Sequence, residues 1–291
     1  TRHYSIYWGF EHLLFPPCAE AGVPDPILPS MQVITVASEL EPFYGCAFVP
    51  TMGALHGGHL SLIAEAKKTG LPVVVSIFVN PEQFAPNEDL SKSPRNLAQD
   101  AAFAESKGAD IIFAPSVETM YPNTPERIQL PAASTEPQLE DACRPTHFNG
   151  VCVAVARLFD IVQPSVTVFG LKDYQQFLVV KQLIEQEKLR WKNLRIIGAD
   201  IIRDNDGLAM SSRNIFLSEE ERARALGIQE AIACQSEQEM QQVLHTHNLD
   251  IEYAVIRDEA TLLAPINGKP TRALVAATLG TTRLIDNARV Q

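Results

Sequence analysis

Short apolar runs rich in β-branched residues alternate along this chain with stretches whose apolar residues recur every three or four positions. From Gln32 onward the runs predict strands near Val33–Thr35, Cys46–Val49, Val73–Val79, Ile111–Phe113, Val166–Phe169 and Arg195–Ile202. The helical stretches between them include Leu60–Lys68, Ala98–Lys107, Val151–Val162 and Gln175–Gln186. Alternation of this kind implies an α/β fold built on a doubly wound parallel sheet. After Ser218 the pattern changes to a charged helix, SEEERARALGIQEAIA, a second polar helix, and the runs IEYAVIRD, RALVAATLG and TRLIDNARV. That half reads as a smaller α+β domain. Ser218 is placed to cap its first helix, with Glu221 closing a capping box.

The expected organisation is an extension over 1–30, a sheet domain over 31–195 and a smaller domain over 196–291, with the boundary zone between 187 and 205. The extension holds five of the 20 prolines, lacks the basic start and unbroken apolar run of a signal peptide, and receives no chemistry; Met31 is a candidate functional start.

Composition narrows the function. The 291 residues are 46% hydrophobic and 20% charged, an ordinary globular balance. With 24 Lys plus Arg against 35 Asp plus Glu, the net charge of −11 argues against a sequence-independent grip on nucleic acid. An anionic ligand must then be held by local cations or backbone N–H groups. Five widely spaced cysteines without a CxxC pair suggest reduced thiols in a cytoplasmic protein. No apolar run approaches the roughly 18 residues of a membrane span.

In a doubly wound sheet, ligands bind beyond the carboxyl ends of the strands, and the residues there carry chemistry. The first such stretch is PTMGALHGGH, Pro50 to His59. A helix N-terminus offers unpaired N–H groups and partial positive charge, Gly53, Gly57 and Gly58 allow close approach, and His56 and His59 stand three apart on one face. Imidazoles there can donate to a triphosphate and to the charge that develops as pyrophosphate leaves. The alternatives are a glycine-shaped surface turn and, more remotely, a zinc site, for which no nearby ligand set is evident.

A second stretch, IRDNDGLAMSSRN, lacks apolar periodicity and reads as a mobile loop carrying Ser211, Ser212 and Arg213, a set suited to phosphate oxygens. The alternative is a capping loop before LSEEER. In GLKDYQQF, Gly170 permits close approach, Lys172 supplies charge, Asp173 could bind a ribose hydroxyl or help hold a metal, and Gln176 could bind a polar substrate. In VNPEQF, Asn80 and Gln83 offer neutral amides at a strand end. Asp100 could lie near Mg²⁺, although an acid in a first helical turn also suits the helix dipole.

The early HxGH and late SSR segments resemble the two signatures of the nucleotidyl-transferring superfamily that includes class I aminoacyl-tRNA synthetases. FVPTMGALHGGHLSLI, SIFVNPEQF, RPTHFNGV, FGLKDYQQ, DGLAMSSRN and TRLIDN, in this order from about Met31 to the C-terminus, more closely resemble the pantoate-beta-alanine ligase family. The resemblance implies a Rossmann-like domain followed by a smaller lid domain, usually in a homodimer. It implies that ATP and pantoate, with Mg²⁺, form pantoyl adenylate and pyrophosphate, and that beta-alanine then displaces AMP.

By that resemblance His56, His59, Lys172, Ser211, Ser212 and Arg213 stabilise the transition state. Pro50, Thr51, Met52, Gly53, Gly170, Asp173 and Met210 complete the ATP site. Gln83 and Gln176 bind pantoate beside Met52, Asn80 lies toward beta-alanine, and Asp100 matches an acidic position near the metal. Three departures stand out: Ser93 for Tyr before Pro94-Arg95, Leu171 for Glu, and Arg157 for Lys. The segment between Val36 and Cys46 is also short for the usual helix. A transferase that leaves the nucleotide on its product, a small aminoacyl-tRNA synthetase and a non-catalytic nucleotide-binding protein share the scaffold. The GLKDYQQ and NPEQF pair, the acidic charge and the retained histidines respectively argue against them.

Overall fold

The computed structural model describes residues 31–81, 96–124 and 126–290. Gln83 and the Ser93 departure lie outside them. Among the described residues, β1 (Gln32–Ile34), β2 (Ala47–Thr51), β3 (Val73–Ile77), β4 (Ile111–Phe113), β5 (Val166–Gly170) and β6 (Arg195–Ala199) form a parallel sheet in the order β1-β4-β3-β2-β5-β6. Their nearly continuous apolar runs reflect burial on both faces. Phe48, Val74, Ile111 and Phe113 enter one core, while Ala47, Val49, Val73, Val75 and Ile112 enter another. The strand pleat alone produces that division.

Helices α1 (Gly57–Lys67) and α2 (Leu97–Glu105) contribute to the second core. Next along the chain come the short α3 (Val117–Met120) and α4 (Glu140–Cys143). They are followed by α5 (His147–Val162) and α6 (Tyr174–Gln186), which supply the first core. The short segment before β2 is a 3₁₀ helix, Ala37–Phe43. The expected strand limits hold to within a few residues. The chain builds outward from β2 through β3 and β4, then returns to β5 on the other side of β2. The ends of β2 and β5 therefore flank the switch point, where such sheets form a crevice.

Helices α7 (Glu219–Ile232) and α8 (Glu237–Thr246) precede an antiparallel sheet of β7 (Asp250–Asp258), β8 (Thr271–Leu279) and β9 (Thr282–Val290). The Ser218–Glu221 capping box is present. Alternation along β8 sends Ala273, Val275 and Ala277 into a core with α7 and α8, while Leu274 joins the first core of the parallel sheet. Polar bonds reinforce this docking: Arg283 spans both oxygens of Glu140 at 2.7 and 3.0 Å, and Tyr253 donates to Glu140 at 2.7 Å. The expected division at 195/196 falls inside β6, whose five residues all pair with β5, so the change from parallel to antiparallel architecture comes after Ala199. The four described cysteines are all free thiols. No helix among the described residues is long and apolar enough to cross a membrane.

Candidate active site

The turn from β2 to α1 is built by acceptors for its backbone. Thr51 donates its hydroxyl to the Ser76 carbonyl at 2.6 Å and accepts the Gly53 N–H at 3.3 Å. The chain then bends through positive φ at Gly53 and Ala54, 85° and 52°. Asp100, reaching in from α2, accepts the N–H of Ala54 at 2.9 Å through one oxygen and that of Leu55 at 2.7 Å through the other. A side chain at Gly53 would both strain the left-handed backbone and lie 3.1 Å from Asp100. The turn delivers His56 in an extended conformation as the N-cap of α1. The helix thus starts at Gly57, three residues before its apolar pattern.

The two histidines form an unusual capping box. His56 Nδ1 accepts the Gly58 N–H at 3.1 Å, and His59 Nδ1 faces the His56 N–H at 3.4 Å. A ring nitrogen that accepts an N–H carries no proton, so both imidazoles are neutral with their proton on Nε2. Burial disfavours the charged form of each. It pushes the His59 pKa down to about 3, helped by His56 and Lys172, and lowers that of His56 with help from Lys172. Asp173 opposes both shifts only in part. The result is a pair of uncharged N–H donors at a helix N-terminus.

Lys172 sits just beyond β5, in a 3₁₀ turn over Leu171–Asp173 that leads into α6. Among the described residues its ammonium has no ion pair. Its charge acts on both histidines, as does that of exposed Asp173, so the switch point brings the two motifs together. Gly170 ends β5 against Leu62 of α1, and Gln176 lies half-buried one turn into α6. A cleft beside this turn is lined by His147, Lys172, Asp173, Gln176 and Asn287.

The SSR segment, expected as a loop, contains a short helix. Ser211 caps a 3₁₀ helix, Ser212–Phe216, by accepting the Arg213 N–H. Buried Asn214 ties it back to Asp204 and to the Ala209 carbonyl. Arg222 adds ion pairs to Asp204 and Asp206. The guanidinium of Arg213 is exposed and unpaired among the described residues. Met210 reaches α1, where a Cβ on Gly57 would come within 2.7 Å of its sulfur. Ser211 thus caps a 3₁₀ helix of its own, while Ser218 caps the helix that follows.

Other expected positions stand differently. Asn80 is buried, with its amide donating to the Gly150 carbonyl and accepting from the Tyr121 hydroxyl, each at 3.0 Å. Met52 is exposed at the mouth of the turn. Both oxygens of Asp100 serve the turn, and no cluster of three or more His, Cys, Asp or Glu among the described residues could hold a metal. Sequence reasoning did not single out Asp204, whose charge acts on His56 and whose carboxylate anchors Asn214. Its place in a polar loop gave no periodic signal.

The family model for pantoate-beta-alanine ligase matches residues 31–289. A pantothenate synthetase of Stenotrophomonas maltophilia is 46% identical over 254 residues, covering 83% of this chain and 90% of the relative. The crystal structure of pantothenate synthetase from Thermus thermophilus is similar with a TM-score of 0.78 at 38% identity, covering 89% of this chain and 99% of that one. The pantoate-beta-alanine ligase of Francisella tularensis, solved with beta-gamma ATP and beta-alanine, is similar with a TM-score of 0.74 at 33% identity, covering 89% of this chain and 97% of that one.

Proposed function

The chain belongs to the pantoate-beta-alanine ligase family, and from that premise we propose how its residues divide the work of joining pantoate to beta-alanine with ATP. The observation that carries the proposal is the His56–His59 pair, two neutral Nε2–H donors at the start of α1, with Lys172 acting on both.

In the first half-reaction a pantoate carboxylate oxygen bonds to the α-phosphorus of ATP as the bond from that phosphorus to the bridging oxygen breaks. Pyrophosphate leaves with the electron pair. Donors aimed at the developing charge stabilise this step without a covalent enzyme intermediate. His56 and His59 donate to the phosphates, Lys172 and Arg213 supply positive charge, and Ser211 and Ser212 complete the cradle. Pro50, Thr51, Met52, Gly53 and Met210 border the nucleotide, while Gly170 and Asp173 lie by the ribose.

Gln176, with Gln83 and Met52, holds pantoate, and Asn80 shapes the beta-alanine side. In the second half-reaction the beta-alanine nitrogen bonds to the acyl carbon, AMP departs with the acyl C–O electrons, and the nitrogen loses a proton. Excluding water preserves the acyl adenylate between the steps.

Among the described residues no cluster of three or more His, Cys, Asp or Glu could hold a metal. Mg²⁺ is proposed as a counter-ion that arrives on the triphosphate, the usual manner for this ion. Homodimerisation and a cytoplasmic location belong to the proposal on the strength of the family resemblance.

Pantoate-dependent exchange of labelled pyrophosphate into ATP, without beta-alanine, tests the first half-reaction. Addition of beta-alanine should then release AMP and pantothenate. Folded, ATP-binding protein that supports no exchange would refute the assignment.

A further inference from the structure

The motif TRLIDN lies far along the chain from every residue assigned to catalysis, yet its last two residues touch both nucleotide segments. Asp286 and Asn287 are adjacent on β9 and buried, with 4% and 3% exposure. Adjacent residues on a strand project to opposite faces, so one dipeptide can hold two different partners.

On one side Asn287 Nδ2 donates to the carbonyls of Leu171 and Lys172, at 2.9 and 2.8 Å. Those are backbone atoms of the turn that carries the Lys172 side chain. The Asn287 side-chain carbonyl is itself fixed by Arg272 at 2.6 Å. Arg272 in turn pairs with Glu259 at 2.6 Å, and its guanidinium lies 3.9 Å from the ring centroid of Tyr174. Both amide protons and the carbonyl of Asn287 are thus engaged.

On the other side the Asp286 carboxylate holds Arg203 at 2.6 and 3.1 Å through two guanidinium nitrogens. Arg203 stands at the root of the SSR segment, forms a β-bridge with Ala209, and donates at 3.1 Å to the Gly207 carbonyl. The Asn287 N–H donates to Asp286 at 2.8 Å, joining the two halves of the network.

We propose that Asp286 and Asn287 are positioning residues for adenylation, fixing the Lys172 turn and the root of the SSR segment relative to one another. The inference rests on the proposed roles of Lys172 and the SSR residues. Simple attachment of the antiparallel sheet does not require this network, because Leu274, Tyr253 and the Arg283–Glu140 pair already join that sheet to the first core. A lysine on a flexible stem is directed by the placement of its backbone, and a buried amide whose two N–H groups and carbonyl are all engaged makes that placement rigid.

The test is a double-mutant cycle on pyrophosphate exchange using Asn287→Asp and Lys172→Ala. Asn287→Asp preserves shape and the Arg272 contact but turns an acceptor toward two carbonyls. Alone it should lower the exchange rate roughly a hundredfold, the scale of a displaced catalytic group. In the Lys172→Ala background it should cost less than about threefold, the mark of two residues acting as a unit. Pantoate KM and conversion of supplied pantoyl adenylate should change little.

An undiminished effect in the Lys172→Ala background, or no effect in either background, would overturn the inference. Lys172→Ala with wild-type exchange would instead overturn the role given to Lys172 itself. Asn287→Ser, smaller and neutral, enters the same cycle if Asn287→Asp does not fold.

Discussion

The ring centroids of His56 and His59 lie 4.2 Å apart, and both Nδ1 atoms face backbone N–H groups at the start of α1. Two imidazolium ions could neither accept those N–H groups nor sit so close without repulsion. The free protein should therefore show His59 as the neutral Nε2–H tautomer from about pH 8 down to about pH 5, as read by nitrogen chemical shifts of its ring. A titration midpoint for His59 near the ordinary 6.5 would contradict the assignment.

The same depressed pKa has a consequence for stability. An unfolded His59 takes up a proton near 6.5, whereas in the fold it does so only near 3. Between those values the unfolded chain binds more protons, so the contribution of His59 weakens folding as pH falls from 6.5 toward 3 and levels off below. Denaturant midpoints measured at about pH 7.5, 6 and 5 should fall less steeply in His59→Gln than in the parent. Equal slopes would mean that His59 is not held neutral.

Asp100 is predicted to act through the histidine turn. Asp100→Asn leaves one carbonyl oxygen to serve the Ala54 and Leu55 N–H groups and turns an amide donor toward one of them. Loss of a buried, charge-assisted bond of this type costs about 2 kcal/mol. Hydrogen exchange at Leu55 should accelerate and adenylation should slow about tenfold, a shift of roughly 1.4 kcal/mol in the barrier. The Mg²⁺ concentration for half-maximal activity should not move. A large shift in that concentration with the Leu55 amide still protected would assign Asp100 to the metal instead.

How far the site could be read from the sequence follows from which interactions are local. The strands were legible because burial on both faces leaves continuous apolar runs, and the Ser218–Glu221 box was legible because capping acts over three residues. The start of α1 was obscured: its first residues are glycines, and its cap is a histidine in place of the usual Ser, Thr, Asp or Asn. The mates of the site were hidden for another reason. Asp100 lies 46 positions from Ala54, and Asn287 lies 115 from Lys172. Nothing in the local pattern of either residue indicates the backbone atoms that it will meet.

Gly57 tests the contact between the start of α1 and the SSR segment. A methyl group there would lie 2.7 Å from the Met210 sulfur, so the flexible methionine must move. Gly57→Ala should leave stability within about 1 kcal/mol, since alanine also favours the helix by a similar amount. Adenylation should nevertheless fall about tenfold as the segment bearing Ser211 to Arg213 shifts, because small displacements of positioned groups carry large rate effects. Adding Met210→Ala should recover part of the loss by making room. A double variant no faster than Gly57→Ala would show that the clash is not the cause.

Lys172 should separate the two half-reactions. Adenylation brings an anionic carboxylate to a triphosphate and expels pyrophosphate, so in the proposed assignment the Lys172 ammonium, which has no ion pair among the described residues, would act where charge repulsion is greatest. The second step expels only AMP from an acyl carbon already activated. Lys172→Met preserves most of the side-chain volume and removes the charge. It should slow pyrophosphate exchange by roughly a hundredfold or more, the scale of a lost preorganised electrostatic contact. Conversion of supplied pantoyl adenylate with beta-alanine should fall much less. Equal losses in both steps would mean that Lys172 serves a feature common to both, such as the adenylate phosphate, and wild-type exchange would remove it from the mechanism.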